Sequence, residues 1–409
     1  MLTTEKINEI LGIKDSYEAP QKLMSVVLDD SKLEKTTNEF LKHEKDLNYE
    51  WFQQYFEDEH SDRKNKKQDF TPQSVSYLLE KLVGKSNSYF ESAAGTGGIM
   101  IQSWRENKEN VDRFYCVEEL SNRAIPFLLF NMAIRKINGF VFHGDSLEKD
   151  FEAVYQVLNG KVRKLDDYYH GSRLYSSVLM NPPFSAKWSG NKKFEEDKRF
   201  ISYKKIAPKS KADFAFLLHG FSKLDTEGTM AIVLPHGVLF RGGAEGTIRQ
   251  ELLEEGNIYA VIGLPANLFY GTSIPTTIIV LKKRREPKDV LFIDASKDFE
   301  KMKNQNKLKD EHIAKIIDTY EKREDVEKYA HVAPYSEIEE NDHNLNISRF
   351  VDTFEEEEPV DVKALHKEIK ELNQEIEEVE AELLGMLNEL AVNDDETQEL
   401  LEATREVFK

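Results

Sequence analysis

The sequence predicts an α/β fold: a doubly wound, mostly parallel sheet preceded by a short helical segment and followed by a helical tail. Three observations predict it. From about residue 68 to 300, short β-branched runs alternate with amphipathic stretches, the pattern of strands and helices taken in turn. One candidate strand, Ser88–Glu91, leads into the small-residue turn Ser92-Ala93-Ala94-Gly95-Thr96-Gly97-Gly98, and Ile99-Met100 then starts an apolar helix. Near the C-terminus, Leu365, Ile369, Leu372, Ile376, Val379, Leu383, Met386 and Leu390 recur at alternating spacings of four and three, the seam of a coiled coil.

Residues 1–67 read as a helical N-terminal segment, polar with scattered apolar positions and closed by Arg63-Lys64-Asn65-Lys66-Lys67. In the stretch 68–300, read as one domain, the candidate strands are Ser88–Glu91, Phe114–Val117, Phe140–Phe142, Tyr175–Met180, Met230–Leu234, Ala260–Leu264, Thr276–Leu281 and Val290–Ile293. Residues 301–353 read as an extension, charged and helical at first, then extended or looped from Tyr335 to Val351. Residues 354–409 read as an acidic coiled-coil tail. Its seam spans roughly 39 Å at ~1.5 Å per residue. So narrow a stripe needs a partner helix.

Composition bounds the function. A chain of 409 residues with 40% hydrophobic content exceeds the size of a single core. No apolar stretch approaches a membrane span, and Met1-Leu2-Thr3-Thr4-Glu5 carries no signal-peptide pattern, so the expectation is a cytoplasmic protein without a membrane partner. The single cysteine, Cys116, excludes intrachain disulfides and a thiolate metal cluster; no metal site is expected. The net charge of −19 is unevenly spread: residues 354–409 hold 19 acidic and 5 basic side chains. By contrast, residues 185–211 hold nine Lys/Arg against three Asp/Glu, interleaved with Trp188, Phe194, Phe200 and Tyr203. Basic side chains mixed with aromatics suit a nucleic-acid backbone and unstacked bases.

That basic stretch follows Asn181-Pro182-Pro183-Phe184, which ends the apolar run Tyr175–Met180. The Asn181 amide oxygen and the Pro182 carbonyl can both act as acceptors at the strand end, proline stiffens the turn, and Phe184 supplies a stacking face. Together they suit a planar amino group. Upstream, the glycine turn lets backbone approach a ligand at the carboxyl end of a strand. Glu118 ends the next strand, where a carboxylate commonly binds ribose hydroxyls. Asp145 and Ser146 follow the third strand, on the adenine side. No Gly-Lys-Ser/Thr follows the glycines, so a nucleoside without phosphates fits best, which points to S-adenosylmethionine.

These residues resemble the amino-methylating DNA methyltransferases, most closely the modification subunits of type I restriction–modification systems. Gln68-Asp69-Phe70-Thr71-Pro72-Gln73 looks like the family's Phe-Thr-Pro segment, which caps the cofactor. Glu91 to Gly98, with Gly95, Thr96 and Gly97, looks like its first cofactor loop. Glu118 resembles the ribose acid, Asp145-Ser146 the adenine-side loop, and Asn181–Phe184 the catalytic tetrapeptide. Leu264-Pro265-Ala266-Asn267-Leu268-Phe269, Thr272–Thr277 and Leu345–Phe350 are similar to further features of these subunits. The family loop usually begins Asp-Pro-Ala-Cys where this chain has Glu91-Ser92-Ala93-Ala94, and the segment before the Phe-Thr-Pro motif is shorter than usual. The resemblance implies a Rossmann-like sheet and adenine-specific methylation of duplex DNA. It implies work alongside a specificity subunit gripped by the C-terminal helices, a second copy of the chain and a nuclease/translocase subunit. An enzyme that methylates RNA or a protein glutamine, or a silent DNA-binding assembly subunit, is the alternative.

Overall fold

The computed structural model describes residues 2–60, 70–167, 173–269, 272–303, 305–353, 361–390 and 395–407. They fall into two compact units, 1–353 and 354–409.

The first unit begins with four helices, α1 (Thr4–Leu11), α2 (Ala19–Val27), α3 (Asp30–His43) and α4 (Gln53–His60). The Thr3 side chain caps α1 and Gly12 ends it in the left-handed region, as helix termini require. Then come α5 (Gln73–Val83), β1 (Ser88–Ser92), α6 (Gly98–Glu106), β2 (Phe114–Glu119), α7 (Ile125–Arg135), β3 (Gly139–Asp145), β4 (Asp150–Leu158), β5 (Lys161–Leu165) and β6 (Tyr175–Met180). The second half of the unit carries α8 (Asp213–Ser222), β7 (Leu224–Pro235), α9 (Ala244–Glu254), β8 (Ile258–Gly263), β9 (Thr276–Leu281) and β10 (Val290–Asp294). It closes with the hairpin β11 (Glu300–Lys301) and β12 (Asn306–Lys307), α10 (Asp310–Lys322), β13 (Ala330–Ala333) and α11 (Tyr335–Glu340).

Among the described residues, eleven strands form one sheet in the order β13-β10-β8-β9-β7-β6-β1-β2-β3-β4-β5. Eight run in one direction; β4, β9 and β13 oppose them. Strand alternation sends Tyr89, Tyr115 and Val117 to the layer that holds α1–α7 and α10. It sends Phe90 and Cys116 to the layer that holds α8 and α9. The sheet is therefore covered on both faces, as a parallel α/β sheet must be.

All eight expected strands are present. The β4–β5 hairpin is an addition, turned by Asn159 and Gly160, both at positive φ, the conformation an Asn-Gly turn favours. The 301–353 stretch differs in part: it contains β-strands as well as α10, and Tyr335–Glu340, expected as extended or looped, is helical.

The second unit contains α12 (Val362–Glu389) and α13 (Asp395–Val407). Asp361 caps α12 by accepting from the main-chain nitrogens of Lys363 and Ala364. The Arg405 guanidinium donates to the Leu387 carbonyl, tying the two helices together. No residue of α12 is buried. No helix among the described residues is long and apolar enough to cross a membrane.

Candidate active site

A cavity of about 560 Å³ opens at the carboxyl ends of β1, β2, β3 and β6, where open α/β sheets bind ligands. β1 delivers Glu91 and the turn residues Ala93, Ala94, Gly95 and Gly98. The turn holds Ala93, Gly95 and Gly97 at positive φ. Gly97 has φ +94°, a backbone conformation that strains any L side chain, and a Cβ there would also press on the ends of Leu128 and Met100 at 2.9 Å. β3 delivers Asp145, whose Oδ1 accepts from the Leu147 and Glu148 nitrogens at 2.9 Å each. β6 delivers Asn181, Pro182, Pro183 and Phe184. Phe70 and Thr71 close the cavity from the segment before α5, and Phe70 lies 3.4 Å from where a Gly95 Cβ would stand.

The Asn181 Nδ2 donates to Thr71 Oγ1 at 2.8 Å. That bond holds the amide at the cavity wall, and the carbonyl oxygen is its acceptor end. Phe184 meets Phe269 edge to face at 5.3 Å, within the Leu264–Phe269 segment singled out in the sequence. The backbone beyond the turn is anchored by Asp213, which accepts from the Ser185 nitrogen at 2.7 Å and from Arg241 at 2.8 Å.

Of the expected site residues, Phe70, Thr71, Glu91, Gly95, Gly98, Asp145, Ser146 and Asn181–Phe184 line the cavity. Thr96 and Gly97 stand behind it; the Thr96 carbonyl accepts from Asn131 at 2.9 Å. Pro72 precedes α5 as its cap, and Gln73 borders a small neighbouring pocket instead. Gln68 and Asp69, with the Arg63–Lys67 run, lie outside the described residues.

Glu118 is a correction. It is fully buried and accepts from His219 Nε2 at 2.7 Å; of the two adjacent acids, Glu119 is the one that lines the cavity. Consecutive residues of a strand face opposite sides, so Glu118 turns toward the α8 layer and Glu119 toward the glycine turn. Glu119 accepts from the Gly95 nitrogen and the Ser121 nitrogen, both at 2.7 Å. Leu120, which follows it and lines the cavity, was also missed. It is an exposed leucine at a strand end, a signal readable only once the strand's phase is known.

Glu118 has a structural place instead. Arg199, a donor without an acceptor, bonds His219 Nδ1 at 3.0 Å. His219 is thereby held as the Nε2–H tautomer that donates to Glu118, and burial lowers its pKa, keeping it neutral. Arg199 also donates to the carbonyls of Ser146 and Leu147, bracing the loop after β3 from below.

The basic 185–211 segment is also corrected. Phe194 and Phe200 are buried and cluster with Trp188 at 5.0 and 5.9 Å. Phe194 and Phe200 are therefore core rather than a platform for bases, whereas Trp188 is half-buried and lines the cavity, and Tyr203 is half-buried. Lys187, Lys192, Lys198, Lys205 and Lys209 remain exposed, and Lys187 reaches the cavity lining.

Glu91 accepts from the Tyr89 hydroxyl at 2.6 Å. Burial, reinforced by the neighbouring Glu119, pushes its pKa up to about 8 despite that bond. Two residues that sequence reasoning missed, Gln53 and Phe56, complete the wall from the N-terminal helices. Among the described residues no group of three or more His, Cys, Asp or Glu is placed to hold a metal ion.

The chain is similar to the type I restriction enzyme MpnII methylase subunit of Mycoplasma pneumoniae, at 32% identity over 340 residues, covering 80% of this chain and 60% of that one. It is similar to the type I restriction enzyme MjaVII methylase subunit of Methanocaldococcus jannaschii, at 31% identity, covering 82% and 58%. Among solved structures it is similar to the type I restriction–modification system methyltransferase subunit of Streptococcus thermophilus. There the TM-score is 0.63 at 46% identity, covering 70% of this chain and 59% of that one. The chain thus spans about three-fifths of the length of each. Residues 45–359, which include every residue lining the cavity, match the family described as N-6 DNA methylase, and the chain belongs to that family.

Proposed function

We propose that the chain transfers a methyl group from S-adenosylmethionine to the 6-amino group of an adenine flipped out of duplex DNA, as the modification subunit of a type I restriction–modification complex. The observation that carries this reading is the single cavity shared by Asn181–Phe184, the glycine turn, Glu119 and Asp145.

The lining fits this cofactor. Glu91 and Glu119 suit a cation, and no Gly-Lys-Ser/Thr of a phosphate-gripping loop follows the glycine turn. Glu119, rather than Glu118, would take the ribose hydroxyls. Leu120 and Leu147 would flank the purine beside Asp145. Bound there, S-adenosylmethionine supplies a methyl group activated by a sulfonium sulfur.

The remaining work belongs to the chain. The Asn181 oxygen and the Pro182 carbonyl accept the two hydrogens of the adenine amino group. This localises a nitrogen lone pair that is otherwise spread into the ring. Phe184 stacks on the flipped base, a contact worth about 1–3 kcal/mol. The methylated nitrogen is acidic enough to shed its proton without a dedicated base. Catalysis then rests on orientation and preset acceptors, and the Thr71 bond presets the amide. Lys187 and the exposed lysines beyond it would neutralise DNA phosphates.

The heptad face of α12 would dock helices of a specificity subunit, with a second copy of the chain and a nuclease/translocase subunit completing the assembly. The test is methylation of duplex DNA, RNA and protein by the chain with its specificity subunit. N6-methyladenine in DNA alone is the expected product. Methyl transfer only to RNA or protein contradicts the reading.

A further inference from the structure

The cavity has two chemically different parts. Near the ends of β2 and β3 its walls are Leu120, Ala124 and Leu147, suited to a purine ring. Beside α4 and the segment before α5 they are Gln53, Thr71 and Glu91. There the cavity shares Gln53, Thr71 and Gly98 with an annex of about 60 Å³ whose further walls include Glu50, Gln73, Ser76 and Gln102. A zwitterionic amino-acid tail needs polar partners when it leaves water, and this is the part of the cavity that offers them.

Gln53 is held firmly in that wall. Phe52 packs against Phe127 and Phe130 of α7 at 5.4 and 5.8 Å, and Phe56 against Phe127 at 5.6 Å. Glu50 Oε1 accepts from the Phe52 nitrogen at 3.0 Å, beside the start of α4. It also accepts from Asn131 Nδ2 at 2.5 Å, and the same Nδ2 donates to the Thr96 carbonyl in the glycine turn. One asparagine thus ties the start of α4 to the turn. Arg135, one helical turn on, donates to the carbonyls of Leu47 and Tyr49. Residues 47–52 are thus tied to the glycine turn through Asn131 and to α7 through Arg135.

We infer that α4 is part of the cofactor site, with Gln53 binding the amino-acid end of the methyl donor. This rests on the reading of the cavity as an S-adenosylmethionine site and names one of its ligands. It also gives the N-terminal segment a task within the catalytic unit.

The test compares two probes by calorimetry on the full chain. S-adenosylhomocysteine carries the amino-acid tail, and 5′-methylthioadenosine lacks it. Gln53→Ala should weaken S-adenosylhomocysteine binding about tenfold, the loss of one buried hydrogen bond, and leave methylthioadenosine binding within about twofold. Gln53→Met keeps the bulk without the amide and carries the same expectation should the smaller side chain loosen α4. Equal losses for both probes in the Met variant, or no loss for either, overturn the inference while leaving the cofactor reading intact. A wild-type chain that binds neither probe overturns both.

Discussion

The helices at the two ends of the chain have similar polar sequences and opposite fates. The N-terminal segment buries Ile7, Leu11, Leu23, Phe40, Phe52 and Phe56, and Gln53 and Phe56 of α4 reach the cavity. The C-terminal helix α12 is longer and more regular, yet its heptad residues stay between 38% and 63% exposed. An irregular apolar pattern on short helices fits the uneven surface of a domain. A strict alternation of four and three fits only another helix. On the proposed reading, regularity of the apolar stripe separates a segment built into the first unit from one that would serve a partner.

Mutations should divide along the same line. Phe52→Ala, which opens a cavity in a cluster of Phe40, Phe127 and Phe130, should cost about 3–5 kcal/mol in chemical denaturation. Ile376→Ala on α12 should cost under about 0.5 kcal/mol; equal costs would erase the distinction. In α12, Leu372→Asp with Ile376→Asp should weaken assembly with a specificity subunit by at least about thirtyfold, the scale of an interface hot spot. Cofactor affinity should be unchanged, and removing residues 354–409 should reproduce both results. Normal assembly by the truncated chain would refute the docking role of α12.

Smaller effects sharpen the account of the cavity that the first region helps to enclose. Glu119→Ala should weaken S-adenosylmethionine binding by about ten- to a hundredfold. Glu118→Gln should leave affinity near wild type and lower the melting temperature, because it disturbs the buried bond to His219. The reverse ranking would restore Glu118 to the ribose site. The smallest effect is a pH dependence. With its pKa raised to about 8 by burial, Glu91 holds a proton in the empty cavity below that pH. A cationic cofactor favours the charged carboxylate, so binding releases the proton. Affinity should rise by up to about tenfold per pH unit toward pH 8 and level off above it. Calorimetry across that range reads the slope, and Glu91→Gln should flatten it.

The strands and the Asn181–Phe184 turn were legible because both are local: β-branched runs set one, and an amide with two prolines at a strand end sets the other. The choice between Glu118 and Glu119 was not, since two adjacent acids differ only in the face they take. Phe194 and Phe200 looked available for bases because a loop's packing leaves no periodicity to read. Gln53 carried no signal, as its place depends on Asn131 and Arg135, about eighty residues away.

The central claim is that the Asn181 amide oxygen acts on an amino group beside a bound methyl donor, and Asn181→Ala tests it most directly. With its specificity subunit, this variant should lose DNA methylation by at least about a hundredfold, as removal of a preset polar group does elsewhere, while calorimetry finds S-adenosylmethionine bound as in wild type. Methylation within a few fold of wild type, at equal cofactor occupancy, would contradict it.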